Sequence, residues 1–445
     1  MDKETTVPEV RRSGRLYYLD WIRIIALAGV ILQHSIVIPG DWYDDAVDLT
    51  SVSTFGAPVG IAGITVFFLV SGSSSMFALD RRTSPEYLKE RVLRLGVPFL
   101  VFSFILLPYC MWAAAQLGPN KISFLSPGTT VITEGSFWDV SAYIQFIGYT
   151  YSDIVPNLVF VADQPITPGW ANALGAHLWF LAFLFVFSVA GLPALQWLRS
   201  GGAQSLVNFA SRVANHRLGL VAFALPVIVV GLVGDAINVA LGVQYLQQGW
   251  GSFFRFFAVF VLGGLLFCDQ RIVDGVRRLW PWVLLGSVIG IAGLAWSSGF
   301  EADRLALNSW TTSTDVFVQG IFLSLIQWCF AVLLLRLGMA FLNRGGNGLL
   351  YCLGISVATY VLHYPVFVTV YGVLLSSLAD MTEALLSVSA WLVWLIALVV
   401  SLTILWVIIE FIVRPIPPLR FLLGVPRRRL PSPPSSGVNK SITGK

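Results

Sequence analysis

An arginine and a histidine share one otherwise apolar stretch, YYLDWIRIIALAGVILQH, which runs from Tyr17 to His34. Ten residues lie between Arg23 and His34. Eleven helical steps make three turns plus roughly 20° and advance the chain about 16 Å, so both side chains project from one face of a helix. Ionisable groups inside a spanning helix cost about 2.5–3.5 kcal/mol each on insertion scales and normally face a protein interior or a wet cavity. Two readings are open. In the first, Arg23 snorkels at a membrane edge and His34 is a hydrogen-bonded structural histidine. In the second, the pair forms a polar stripe between the two membrane faces. His34 is then a general base, since imidazole accepts a proton near neutral pH. Arg23 then holds a phosphate or carbonyl oxygen. Asp20 is a further polar candidate on the same segment.

Other chemistry-bearing residues lie in later apolar segments or at their mouths. Ser71 and Gly72 end VFFLVSG, where small residues allow close helix packing or line a site. Lys89, Arg91 and Arg94 stand just before Pro98. Spacing of i, i+3 puts such charges on one helix face, which suits a phosphorylated ligand as well as it suits simple topogenic charge. His177 and Trp179 open HLWFL, as an interfacial belt or as site residues. His363 lies in TYVLHYPVF, twelve residues or about 18 Å from the expected end of its span. Pro365 follows it and frees backbone carbonyls that need partners, which also suits a structural histidine. Glu410 precedes Arg414 and Pro415 and is a site candidate or an arginine partner. Cys110, Cys268, Cys329 and Cys352 show no paired spacing, so neither a disulfide framework nor a metal site is expected.

The elements that must position these groups are membrane helices. The chain is 56% hydrophobic and 12% charged, with a mean hydropathy of +0.77. That composition excludes an ordinary soluble domain and predicts an all-α polytopic membrane protein. Ten segments are long enough to cross about 30 Å of hydrocarbon. They fall near 17–38, 57–79, 95–117, 177–198, 218–240, 252–267, 280–297, 314–335, 351–375 and 387–412. With the N-terminus inside, 24 of the 28 Lys and Arg fall on cytoplasmic segments, and only Lys121, Arg255 and Arg304 fall outside. This bias predicts that both termini are cytoplasmic. The stretch 142–161 is apolar enough for an eleventh span. Crossing there would move at least fifteen basic residues outside, so it is read as part of a long external loop, 118–176. That loop is dense in aromatics, from Phe124 to Trp170, with Glu134, Asp139, Asp153 and Asp163. Such a surface suits sugar rings and suits a membrane interface equally. Residues 1–16 read as a cytoplasmic segment, 17–425 as one membrane domain and 426–445 as a basic, Pro/Ser-rich disordered tail. The net charge of +4 fits loops facing anionic lipid and does not indicate nucleic acid.

In order along the chain, these motifs resemble the membrane acyltransferase-3 family. The likeness is carried by LDWIR with its arginine, ten residues and histidine, then by VFFLVSG, RVLRLGVP, HLWFL, FVLGGLLF, TYVLHYPVF and EFIVRPIPPLRFLL. HLWFL and the last three are most similar to the glucan-succinylating branch, the glucans biosynthesis protein C type. The resemblance implies transfer of an acetyl or succinyl group from cytosolic acyl-CoA to a hydroxyl of an extracytoplasmic glycan or glycolipid. The expected setting is the lipid bilayer of a bacterial inner membrane, with acyl-CoA as co-substrate and no bound cofactor or metal. It gives Arg23 and His34 the central roles and puts Arg91 and Arg94 on the donor side. Many members carry Gly after the first-span arginine. Ile24 stands here, which bears on the branch more than on the chemistry. A secondary transporter using the same charges, with Asp235 and Asn238 for coupling, is the main alternative, although no inverted repeat is visible. A non-catalytic scaffold is a third reading.

Overall fold

The computed structural model describes residues 15–42, 50–117, 136–154, 168, 175–242, 249–299, 313–379 and 390–427. The described chain forms helices and connections, with no strand among those residues. In chain order the first helices are α1 (Tyr17–Trp42), α2 (Thr50–Leu79), α3 (Ser84–Arg91) and α4 (Val97–Leu117). A π-helical turn, Val92–Gly96, joins α3 to α4. Next come α5 (Val140–Tyr149) with a second π turn (Thr150–Ile154), α6 (Trp179–Ala190), α7 (Leu192–Arg199), α8 (Gln204–Ala214) and the short α9 (Gly219–Ala222). The remainder are α10 (Ala224–Ala240), α11 (Trp250–Leu266), α12 (Gln270–Arg278), α13 (Trp280–Ser297), α14 (Ser313–Phe341), α15 (Asn347–Ala379), α16 (Ala390–Val407) and α17 (Pro417–Leu422).

Seven of these helical stretches are long and apolar enough to cross a membrane, and nine are if each bent pair counts as one span. The bent pairs are α6–α7, at 47°, and α11–α12, at 107°. The shorter apolar run Gly63–Leu79 lies within α2. Each of the ten segments expected from hydropathy therefore coincides with a helix, although not all ten are straight or full-length. The outer surface is what lipid requires. Leu225, Val229 and Val233 of α10, Val288, Ile289 and Ile291 of α13, and Val399 and Ile404 of α16 are exposed. A monomer in water rarely presents so continuous an apolar surface. This is an integral, multi-pass membrane protein.

Small residues set the closest helix crossings. A Cβ on Gly72 of α2 would lie 1.8 Å from the Phe260 carbonyl oxygen of α11, and one on Gly263 would lie 2.2 Å from that of Leu69. The two backbones thus touch across a glycine on each side, as membrane helices do where no hydrophobic force draws them together. Beside this crossing Phe68 packs against Phe180, Phe187 and Phe256, with ring centroids 4.9–5.1 Å apart. α1 lies between α2 and α14 on one side and α15 on the other, while α4 and α16 pack on α15. The strand of polarity on α1 is therefore interior, as its sequence demands.

Alternating helices give the bundle two ends. The start of α1, the end of α2, the start of α15 and the turns around α8 and α12 share one of them. Arg199 pairs there with Asp80, at 3.1 Å, and Arg271 with Asp269, at 2.7 Å. This is the basic end. Arg255, expected in an external segment, lies elsewhere: its side chain is fully buried against Asp235. The tail beyond 427, and the parts of the 118–176 loop at 118–135, 155–167 and 169–174, lie outside the described residues.

The α2–α11 crossing yields a direct expectation. Gly72→Val forces the two backbones apart and should destabilise the protein by about 1–3 kcal/mol, as overpacked cores do. Thermal unfolding in detergent measures this, with Gly148→Val as the control, since a Cβ at Gly148 meets nothing within 4 Å. Equal melting temperatures for the two variants would contradict the crossing.

Candidate functional site

His34 stands 17 residues along α1, about 25 Å from its start, and His363 stands 16 residues, about 24 Å, along α15. The span begins earlier than hydropathy suggested, so His363 lies deeper than the expected 18 Å. Because α1 and α15 run parallel and pack together, the two side chains reach the same depth. His34 Nδ1 lies 2.8 Å from His363 Nε2. His363 is fully buried, and its Nδ1 lies 2.7 Å from the Tyr360 carbonyl oxygen and 3.2 Å from that of Thr359.

A proline brings in the third histidine. Pro365 has no N–H, so the carbonyl four residues earlier, on Val361, lacks its helical donor. In a bilayer interior that carbonyl must be satisfied from elsewhere. His177 Nε2 donates to it at 2.9 Å. The reciprocal tie is the Tyr360 hydroxyl, which donates to the His177 carbonyl at 2.5 Å. His177 stacks on Tyr364 at 4.8 Å and meets His363 edge-on at 5.4 Å. It is not an interfacial belt residue but a member of the buried cluster, and its Nδ1 has no hydrogen-bond partner. Trp179, two residues on, packs among Phe183 and Phe256 instead of entering the cluster.

The same device fixes the approach from the far end. Pro108 leaves the Phe104 carbonyl of α4 without its donor, and the Tyr151 hydroxyl supplies one. α5 and its π turn thus descend beside α4, with Phe146 against Trp112 and Tyr151 against Phe104. Phe104 is thirteen residues, about 20 Å, below the far end of α4. The 142–161 stretch does not form one of the crossing helices at 142–154. Residues 140–154 instead pack along an exposed face of α4, from the end opposite the basic one. Between α4 and α5, Tyr109, Trp112, Phe137, Trp138, Asp139 and Tyr143 line a cleft of about 150 Å³.

At the basic end, Arg23 keeps 34% of its side chain accessible although α1 is interior, so it lines a recess. Its guanidinium bonds Asp20 at 3.3 Å and the Ser74 hydroxyl, and Asp20 also accepts from Arg15 at 2.7 Å. The neighbouring Ser75 hydroxyl accepts from Tyr87, at 3.0 Å, and from Arg91 Nη2, at 3.3 Å. The Arg91 guanidinium lies 4.7 Å from the Tyr87 ring centre, and its Nε is buried without a partner. Residues 71–75 of α2 (SGSSS) thus form a polar ladder between two arginines. Ser74, Ser75 and Tyr87 were not singled out from sequence. The signal available was a run of serines inside an apolar helix.

Several expected partners stay outside this arrangement. Ser71 contributes its carbonyl oxygen to Ser75 at 2.8 Å. Arg94 does not share a face with Arg91, because the π turn begins at Val92 and inserts an extra residue in the turn. Arg94 is 73% exposed and pairs with Glu90 at 3.2 Å, and Lys89 is exposed. Glu410 accepts from Arg414 at 2.6 Å and from Tyr351 at 2.8 Å. With Arg414 Nη1 on the Pro426 carbonyl, this pins the stretch after α17 to α15. Asp235 pairs with Arg255 with neither side chain exposed, and Arg255 also bonds Ser324 at 2.8 Å. A sealed pair of this kind does not offer the accessible charge that ion coupling needs. Among the described residues no group of three His, Cys, Asp or Glu could hold a metal ion.

A polytopic helical bundle with buried histidines at mid-depth and an arginine recess at one end defines a membrane protein with an internal polar site. Comparison with known families identifies the class. The acyltransferase-3 family, described as an acyltransferase domain, matches residues 16–410, and the chain belongs to it. It is a membrane acyltransferase. No curated protein and no solved structure matches the chain.

Tyr151 tests the proline device. Tyr151→Phe leaves the Phe104 carbonyl unpartnered and should cost about 1–3 kcal/mol. Pro108→Ala restores a helical N–H, so the double variant should recover most of the lost thermal stability. A double variant no better than Tyr151→Phe would show that the hydroxyl does not serve this carbonyl.

Proposed function

We propose that the enzyme moves an acyl group from acyl-CoA, bound at the basic end, to a hydroxyl of an extracytoplasmic glycan or glycolipid that arrives from the opposite end. The observation that carries this reading is the common interior face of Arg23 and His34. One lies beside the arginine and serine ladder, and the other lies in the buried histidine cluster. A flexible thioester-ended donor entering past Arg91 and Arg23 can extend along α1 toward His34. Guanidinium groups suit the phosphates of CoA and the thioester oxygen. The positive-inside bias supports a cytosolic basic end, on the side where acyl-CoA is made.

The chemistry needs one proton acceptor. The acceptor hydroxyl attacks the thioester carbonyl, the new C–O bond forms, and the C–S bond breaks. His34 takes the hydroxyl proton and returns it to the departing CoA sulfur. The unpartnered Nδ1 of His177 is free to accept a hydrogen bond from the incoming glycan, and the aromatic cleft beside α5 suits the faces of sugar rings. Acyl-CoA is a co-substrate in this scheme, and no bound cofactor or metal is required. The acyl group is acetyl or succinyl, the latter favoured by the resemblance of HLWFL and TYVLHYPVF to the glucan-succinylating branch. A bacterial inner membrane is the setting that suits both substrates.

Purified protein in detergent should release free CoA thiol from acetyl- or succinyl-CoA only when a glycan acceptor is added. His34→Ala should lower this rate by at least about 10²-fold, the usual scale of general-base loss, without impairing folding. A variant retaining more than about a tenth of wild-type activity would remove His34 from the base role. Arg91→Gln should raise KM for acyl-CoA more than KM for glycan, whereas Lys89→Gln and Arg94→Gln should change both little. The reverse pattern, with Arg94 dominant, would relocate the donor site to the exposed surface.

A further inference from the structure

The hydrogen-bond partners of the three buried histidines determine which nitrogen of each carries hydrogen. A carbonyl oxygen only accepts, so His363 Nδ1, with carbonyls at 2.7 and 3.2 Å, must be the N–H nitrogen. In the neutral ring, His363 Nε2 is then a lone pair. His34 Nδ1 lies 2.8 Å from it and must be the donor. The ring geometry agrees. The two imidazoles are inclined by only 5° with centroids 5.1 Å apart. Coplanar rings joined edge to edge by an in-line N–H···N bond have centroids about 5 Å apart, so this is a hydrogen bond in the ring plane and not face stacking. His177 is the opposite case, because its Nε2 donates to the Val361 carbonyl.

We propose that His363 is a positioning residue that holds His34 in its Nδ1–H tautomer, so that His34 Nε2 is the nitrogen left to take the proton of the acceptor hydroxyl. This inference rests on the reading of His34 as the base and deepens it. During transfer the hydroxyl proton moves to His34 Nε2. The resulting imidazolium keeps its Nδ1–H on His363 Nε2, and the two carbonyls at His363 Nδ1 favour positive charge on the pair. The proton then leaves with the CoA sulfur, and both rings return to their starting tautomers. With His363 removed, His34 is free to adopt the other tautomer and presents an N–H where a lone pair is required. Loss of the correct tautomer in a hydrogen-bonded catalytic dyad lowers turnover by up to about 10⁴-fold.

The test is nitrogen-15 solid-state NMR of histidine-labelled full-length protein in lipid bilayers, with His34→Asn, His363→Gln and His177→Asn spectra assigning the resonances. The expected result is Nδ1–H for His34 and His363 and Nε2–H for His177. A neutral His34 carrying hydrogen on Nε2 overturns the proposal without any activity measurement. Kinetics supply the second arm. The amide oxygen of His363→Gln can still accept from His34 Nδ1–H, so its kcat should stay within about tenfold of wild type. His363→Met cannot accept in that way and should lose about 10²-fold or more in kcat, with KM for acyl-CoA unchanged. Equal activity of the Gln and Met variants overturns the positioning role and leaves only packing. An active His34→Ala enzyme overturns the base reading itself, and does so whatever tautomer the spectrum shows.

Discussion

A backbone carbonyl released by proline inside hydrocarbon has no water to turn to, and one such carbonyl organises the histidine cluster while a second anchors α5 to α4. Pro108 releases Phe104 and Pro365 releases Val361. Both are satisfied by side chains from the segment between α4 and α6, Tyr151 in one case and His177 in the other. The first tie holds α5 and its π turn against α4, and the second draws His177 into the bundle interior. The tie at Val361 brings His177 to the level of His363, and the packing of α15 on α1 brings His363 to His34. Three residues separated by more than a hundred positions meet through one helix packing and one missing N–H.

The arrangement divides the interior by depth. Near the basic end stand cations with serine and tyrosine partners, several of them partly accessible, which suits a phosphorylated or acidic group. About 16 Å further along α1 stand uncharged proton-accepting rings, which suit a hydroxyl. Neither half alone makes an acyltransferase. The proposed transfer, with donor from one face and acceptor from the other, uses both, joined by a helix face that carries one residue of each kind. The buried Asp235–Arg255 pair belongs to neither half and holds α10, α11 and α14 together.

The helices were legible because hydropathy alone demands them, and so was the shared face of Arg23 and His34, since it follows from helix geometry. The histidine cluster was only partly legible. Each histidine could be named as polar in an apolar segment, but no local pattern joins Ser356–Phe367 to Ala176–Phe187. Pro365 was the available signal, because a released carbonyl predicts an incoming donor without saying which. Regular helical spacing puts Arg94 on the face of Arg91, and the π turn at Val92 undoes that spacing. The count of basic residues puts Arg255 outside, whereas its side chain is fully buried. Its partner Asp235 lies just across a short connection, so antiparallel pairing of α10 and α11 would have found it.

The central claim is that donor and acceptor reach one site from opposite faces of the membrane. Sealed proteoliposomes with uniformly oriented protein test it directly. Acyl-CoA is confined to the side of the basic end, glycan to the other, and acylated glycan is measured. Product should form in this arrangement and fail to form when the two compartments are exchanged. Product that forms only when both substrates share one compartment would contradict the account.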